Sequence, residues 1–204
     1  MKFMRLFPAM LLVGVMASCS PLEQVDVLVV GSGASGTAAG IQAARMGVKT
    51  IVLEETPWIG GMLTSAGVSC VDGNNRLRSG IFGEFADSLV ARYGSNEALK
   101  SGWVSNINFD PHIGQEILTN MTESCGDLLD VRREAVVLDV RPEEGDWEVT
   151  YRDRNGRKSR VIADVLIDAT ELGDIAKACG ADYRIGMEAS QRRESRLLRQ
   201  KPMM

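Results

Sequence analysis

The chain carries Gly31-Ser32-Gly33-Ala34-Ser35-Gly36, a G-x-G-x-x-G spacing whose chemistry is the binding of a dinucleotide pyrophosphate. Gly31 allows a tight turn out of a strand. Gly33 lets the backbone approach a phosphate with no Cβ in the way, and Gly36 lets the following helix pack closely on that strand. The helix N-terminus then offers free N–H groups and the positive end of its dipole to the phosphates. Glu54 comes 23 residues after Gly31, near the spacing of the acid that receives the ribose hydroxyls, and its charge would repel a 2′-phosphate. Several dinucleotides share this fingerprint, so it does not choose among them.

A second stretch does choose. Asp168-Ala169-Thr170-Glu171-Leu172-Gly173-Asp174 follows an apolar strand. It resembles the A-T-x-x-G-D segment of glutathione-reductase-like flavoproteins, in which the chain passes close to FAD. Between the two lie Gly60-Gly61-Met62-Leu63-Thr64-Ser65, Gly80-Ile81-Phe82-Gly83-Glu84-Phe85 and Phe109-Asp110-Pro111. In that order the motifs resemble one bacterial family of FAD-dependent oxidoreductases, itself distantly similar to the flavoprotein subunit of heterodisulfide reductases. The resemblance spans residues 25–188. It implies FAD as cofactor, with Gly31, Gly33, Ala34, Ser35 and Gly36 along the pyrophosphate and Glu54 on the adenosine ribose. It also implies that Gly61, Met62 and Thr64 lie at the flavin end and that Ala135 or Val136 meets the adenine through its backbone. Ala169, Thr170 and Asp174 would complete the contacts. The iron–sulfur clusters of the heterodisulfide relatives need cysteine clusters absent from this chain.

No residue stands out as a catalytic acid or base. His112 is the only histidine and follows Asp110-Pro111 in the first turn of a helix, which suits an exposed structural position. Cys70, Cys125 and Cys179 are too far apart for any metal or iron–sulfur spacing. Cys70 falls in the loop expected near the flavin, where a reactive thiol is an alternative to a buried inert one. One disulfide among the three is the other alternative after export.

The elements that must position these residues follow from hydrophobic pattern. Val25–Val30 reads as a buried strand, residues 35–46 as a helix ended by Gly47, and Lys49–Glu54 as a second buried strand. Together they make a βαβ unit with a right-handed crossover. Residues 57–78 read as a long loop, Ile81–Tyr93 as a helix, and Asp110-Pro111 as an N-cap and first position of a helix reaching about Cys125. Leu128–Val131, Ala135–Val140, Trp147–Arg152, Lys158–Ala163 and Val165–Asp168 have strand character, with Asn155-Gly156 as a hairpin turn. The expected fold is α/β, a Rossmann-type FAD-binding domain with a parallel sheet and an inserted three-stranded β-meander.

Composition sets the frame. The 204 residues, 45% hydrophobic and 25% charged, are those of an ordinary globular chain, and a net charge of −4 gives no reason to expect nucleic acid as a partner. Residues 1–18 have the layout of a secretory signal peptide: Lys2 and Arg5, an apolar run, then small residues. Val15-Met16-Ala17-Ser18-Cys19 resembles a bacterial lipobox, which implies a lipid anchor at Cys19 and a periplasmic location. Met16 stands where that motif usually has leucine, so ordinary signal cleavage is the alternative. Residues 19–24 read as a tether, 25–188 as the FAD-binding domain and 189–204 as a basic, disordered or aberrant tail. The resemblance implies a return segment that this chain does not supply, so the expectation is a fragment, with a shifted frame over the last dozen residues or so. The expected function is an FAD-binding oxidoreductase acting on a small molecule. A lipid-anchored nucleotide-binding protein without turnover is one alternative. An NAD-dependent dehydrogenase is another, disfavoured by Asp168–Asp174.

Overall fold

The computed structural model describes residues 22–72, 76–102 and 105–186. The signal-peptide and Cys19 expectations, and the basic tail, fall outside the described residues. A continuous apolar sequence with β-branched residues makes β1 (Glu23–Val30), beginning two residues before the expected Val25 and so taking in the end of the expected tether. The glycine turn leads into α1 (Ala34–Arg45), and the chain returns as β2 (Thr50–Glu54), every residue of which is buried. A two-residue strand β3 (Cys70–Val71) pairs with β4 (Ile107–Asn108) as a small antiparallel sheet, flanking α2 (Gly80–Tyr93). Then come α3 (Pro111–Glu123), β5 (Leu129–Arg133), β6 (Val136–Glu143), β7 (Asp146–Arg152), β8 (Lys158–Asp168) and α4 (Asp174–Ala178).

The six-stranded sheet has the order β5-β2-β1-β8-β7-β6. Its first four strands are parallel, and β7 and β6 run antiparallel to their neighbours. One expectation is corrected here. Lys158–Ala163 and Val165–Asp168 are not two strands but one, β8, whose first half pairs with β7 and whose residues from Val161 to Asp168, Asp164 excepted, pair with β1. No glycine or proline stands between them, and an exposed Asp164 fits the wet face of a pleat without breaking it. The meander is therefore continuous with the parallel sheet.

Each face of the parallel strands has its own core. On one side Val29 and Val52 pack with Ile41, Phe85, Leu89, Ile117 and Leu118 from α1, α2 and α3. On the other, Leu28, Val30, Ile51 and Leu53 meet Val149, Tyr151, Val161 and Ala163 of the meander, which covers this face in place of a helix. In β7 Val149 and Tyr151 are buried and Arg152 is exposed, while Trp147, Glu148 and Thr150 are half-buried. Gly40 is part of the first face, since a Cβ there would meet Val52 Cγ2 at 2.6 Å. The Asp110-Pro111 reading also holds: the Asp110 carboxylate caps α3 by accepting from the His112 N–H at 2.8 Å.

Candidate functional site

Three loops meet at the C-terminal ends of β1, β2 and β8, where open α/β sheets place their ligands. The first is the glycine turn. Gly31 has φ +91°, and a Cβ there would meet the Ala169 carbonyl oxygen at 2.5 Å, so the turn lies directly on the loop after β8. Gly36 is tighter still: its Cβ would stand 1.9 Å from the Gly31 oxygen. Gly33 differs from both. Its backbone is ordinary, φ −55° and ψ −175°, and an added Cβ would have no atom within 4 Å. The described residues therefore place no demand for glycine at this position. What the missing side chain leaves is open space at the mouth of α1, whose first turn carries no acidic residue and whose leading N–H groups lack intrahelical acceptors.

The second loop follows β2. Gly60 and Gly61 have φ of +100° and +52°, and a Cβ on Gly61 would press on the Gly33 Cα at 2.9 Å. This close approach shapes the turn from behind. Thr64 anchors the loop: it is 2% exposed and donates its hydroxyl to the Ile59 carbonyl at 2.5 Å.

Glu54, at the end of β2, is 7% exposed and held in place on both carboxylate oxygens. Oε2 accepts from the Ser32 N–H (2.8 Å) and the Ser32 hydroxyl (2.6 Å), and Oε1 accepts from the Thr56 N–H (2.7 Å). Ser32 also gives its own carbonyl to the Gly60 N–H and the Thr37 hydroxyl. One buried serine thus joins the glycine turn, β2 and the Gly60-Gly61 loop. The sequence alone assigns Ser32 no role, and only the fold brings its hydroxyl onto Glu54.

The third loop, Asp168–Asp174, is wired by its own side chains. Asp168 Oδ1 accepts from the Thr170 N–H and hydroxyl (2.9 and 2.7 Å), and Oδ2 accepts from the Ala176 N–H (2.7 Å). The Thr170 hydroxyl in turn accepts from the Asp174 N–H at 2.8 Å, capping α4. The Asp174 carboxylate has no partner among the described residues and faces the cleft. Burial pushes the Asp168 pKa up. The hydrogen bonds from Thr170, Ala176 and Ile175 outweigh it and hold the group below the usual aspartate range.

That depression fixes a pH dependence. The folded pKa lies below the unfolded value of roughly 3.9, so the stabilisation is complete above about pH 4 to 5 and is lost as pH falls through the folded pKa. Asp168→Asn keeps one acceptor but turns an amide donor toward the N–H groups. It is expected to cost about 1–3 kcal/mol. A thermal melt series from pH 2.5 to 7 should show the parent losing part of its advantage over the variant only in acid. A constant difference across that range would contradict the wiring.

The three loops and β6 enclose a cleft of about 920 Å³. Gly31, Gly33, Ala34, Ser35, Glu54, Gly61, Met62, Val136, Ala169, Thr170 and Asp174 all line it. Gly36 and Thr64 do not; they stand behind the wall and shape it. Ala135 lines the cleft beside Val136 and donates its N–H to the Glu54 carbonyl at 2.8 Å. Leu138 of β6 also lines the cleft and was not foreseen. Cys70 lies in β3 and is not among the lining residues, and the exposed His112 rests its ring on Trp58 with centroids 4.6 Å apart. Cys70, Cys125 and Cys179 are unpaired thiols.

The features fit an anionic dinucleotide: amides without an acid at the helix mouth, open space in place of a Cβ at Gly33, and a fixed carboxylate at the end of β2. Comparison with known proteins agrees. A family model described as FAD dependent oxidoreductase matches residues 26–204. NADH:fumarate oxidoreductase of Klebsiella pneumoniae (strain 342) is 32% identical over 137 residues, 66% of this chain and 14% of that protein. The mitochondrial dihydrolipoyl dehydrogenase of Dictyostelium discoideum is 36% identical over 72 residues, 35% of this chain and 14% of that one. The chain thus spans about a seventh of the length of these relatives. A crystal structure of a flavoprotein/dehydrogenase from Cytophaga hutchinsonii shares the fold, with a TM-score of 0.55 and 23% identity over 81% of this chain and 44% of its own.

Proposed function

This chain belongs to the FAD-dependent oxidoreductase family, and from that premise we propose that its cleft is the FAD site of an enzyme that oxidises or reduces a small molecule. The observation that carries the reading is Gly33, where the structure leaves room that no described residue uses. The residues divide the work. The N–H groups of Ala34 and Ser35, at the start of α1, face the pyrophosphate and supply donors and a positive dipole end without the cost of a counter-ion. Glu54, held by Ser32 and Thr56, keeps lone pairs for the ribose hydroxyls and repels a 2′-phosphate. The free Asp174 carboxylate accepts from ribityl or ribose hydroxyls. Gly61 and Met62 border the flavin end, where the 60% exposed Met62 shields the ring from water. When bound, the isoalloxazine supplies the electron-pair chemistry, and the protein supplies position and electrostatics.

The test is the visible spectrum of the purified mature chain after incubation with FAD and removal of excess. A yellow protein that releases FAD on denaturation, and bleaches with dithionite, is the expected result. A colourless protein that NAD protects from heat, and FAD does not, would replace this reading with the dehydrogenase one. Bound flavin that no reductant or acceptor can exchange electrons with would point to a nucleotide-binding protein without turnover. The NADH:fumarate relative makes fumarate a sensible first acceptor to try.

Export as a lipoprotein anchored at Cys19 is part of the same proposal. Its support is the charge, apolar and small-residue order of residues 1–19. Radiolabelled palmitate should enter the parent chain and not Cys19→Ser; equal labelling of both would refute the anchor.

A further inference from the structure

We infer that Gln115 of α3, which stands outside the cleft wall, is a positioning residue for the flavin end of the cofactor; the inference rests on the FAD reading above. After Glu54 the chain leaves β2, and Ile59 is fully buried with Gly60 beside it at φ +100°. Main-chain groups buried at such a place need partners other than a strand ladder. Side chains satisfy Ile59 at both ends. Gln115 Oε1 accepts its N–H at 2.9 Å, and the Thr64 hydroxyl donates to its carbonyl. The next amide, that of Gly60, donates to the Ser32 carbonyl at 2.7 Å as part of a single parallel bridge to the glycine turn. The turn that brings Gly61 onto Gly33 is therefore fixed by Ser32 on one side and by α3 on the other.

One side of α3 is given to this loop. His112 rests its ring on Trp58, Gln115 holds Ile59, and Leu118 packs so closely on Gly60 that a Cβ there would meet its Cδ1 at 2.6 Å. Gln115 is itself held. Its Nε2 donates to the Thr119 hydroxyl at 3.2 Å, and Arg133 at the end of β5 donates to the same oxygen at 2.9 Å. The Ile59 N–H can only donate, so the amide oxygen of Gln115 faces it and the amide nitrogen faces Thr119. Gln115 does not line the cleft, but Gly61 and Met62, directly after the pinned Ile59-Gly60 pair, do. Without its acceptor the buried Ile59 amide is unpaired, and a turn that shifts to reach water carries Gly61 and Met62 with it. The ribose end is held by other bonds, from Ser32 and Thr56 to Glu54 and from Ala135 to the Glu54 carbonyl, so it stays in place.

Titration calorimetry with FAD and with ADP, on the parent chain, Gln115→Leu and Gln115→Glu, tests this. ADP carries the adenine and lacks the flavin ring. Leucine is close to glutamine in size and offers no acceptor, whereas glutamate keeps an oxygen for the Ile59 N–H. Gln115→Leu is expected to weaken FAD about ten-fold and to leave ADP within about two-fold of the parent. Gln115→Glu should bind both ligands within about three-fold of the parent. The visible absorption maxima of bound FAD should shift in Gln115→Leu and return in Gln115→Glu, a change that lost stability alone does not produce. FAD and ADP weakened alike in Gln115→Leu would make Gln115 a general support of the fold and overturn the inference. Unchanged FAD affinity and spectrum would overturn it too. Should Gln115→Leu not fold, Gln115→Asn takes its place, with an acceptor one carbon short of Ile59 and the same split between FAD and ADP expected. If the parent itself binds neither ligand, the FAD reading fails along with this one; a parent that binds both, beside an insensitive Gln115, sinks this one alone.

Discussion

Gly33→Val is expected to lower FAD affinity at least a hundred-fold while the ligand-free chain melts within about 4 °C of the parent. The two halves of that result have separate causes. The fold tolerates the change because the Gly33 backbone, at φ −55° and ψ −175°, is open to any residue, and a Cβ there touches nothing within 4 Å. Gly33 is the N-cap of α1 and makes no side-chain cap bond, so the loss at that position is at most about 1 kcal/mol, or roughly 2–4 °C for a domain of this size. The ligand does not tolerate it. Branched carbons would occupy the space through which a pyrophosphate reaches the first amides of the helix. A charge-assisted hydrogen bond to those amides cannot be replaced at longer range. Flavin fluorescence titration beside a thermal melt reads both halves. Retained affinity with retained stability would mean that the phosphates run elsewhere.

Gly36→Ala should give the reverse pattern, a folding defect first and a binding defect only through it. The added Cβ would lie 1.9 Å from the Gly31 oxygen and 2.9 Å from the Ala169 Cβ. Two of the nearest three atoms are backbone, in a turn that also contacts the loop after β8, so no side chain can swing aside. Overpacking of a tight core typically costs 1–3 kcal/mol and sometimes more. Here the obstruction is main chain on one side and an alanine Cβ fixed to its own backbone on the other, so the expected loss is about 3 kcal/mol or above, a fall of roughly 6–12 °C. Urea unfolding gives the number directly. A variant as stable as the parent would show that α1 can shift off β1 at no cost, against the packing described above. The pair of glycines, three residues apart, separates what the ligand requires from what the fold requires.

Much of this was legible in the sequence, and the reasons are physical. The β1–α1–β2 unit declares itself because a buried strand, a glycine turn and a small-residue helix each have a local pattern. The different duties of Gly33 and Gly36 follow from their spacing alone. Asp168–Asp174 was legible through resemblance. Its internal wiring was not, because the partners of Asp168 include an amide eight residues away that only α4 brings back. Ser32 was illegible for the same reason: its hydroxyl matters through Glu54, 22 residues distant. β8 was divided in two because its sheet partners change along its length, and Asp164 at the crossing resembles a break. The resemblance implies Thr64 at the flavin end, whereas its burial behind the wall is something no local pattern records.

Amide hydrogen exchange with and without FAD tests the central claim most directly, since it reads the backbone groups assigned to the ligand. Slowed exchange confined to residues 31–37, 54–62 and 168–176, with β7 and the first half of β8 unaffected, is the result predicted. Bound FAD with those three segments exchanging at their ligand-free rates would contradict it.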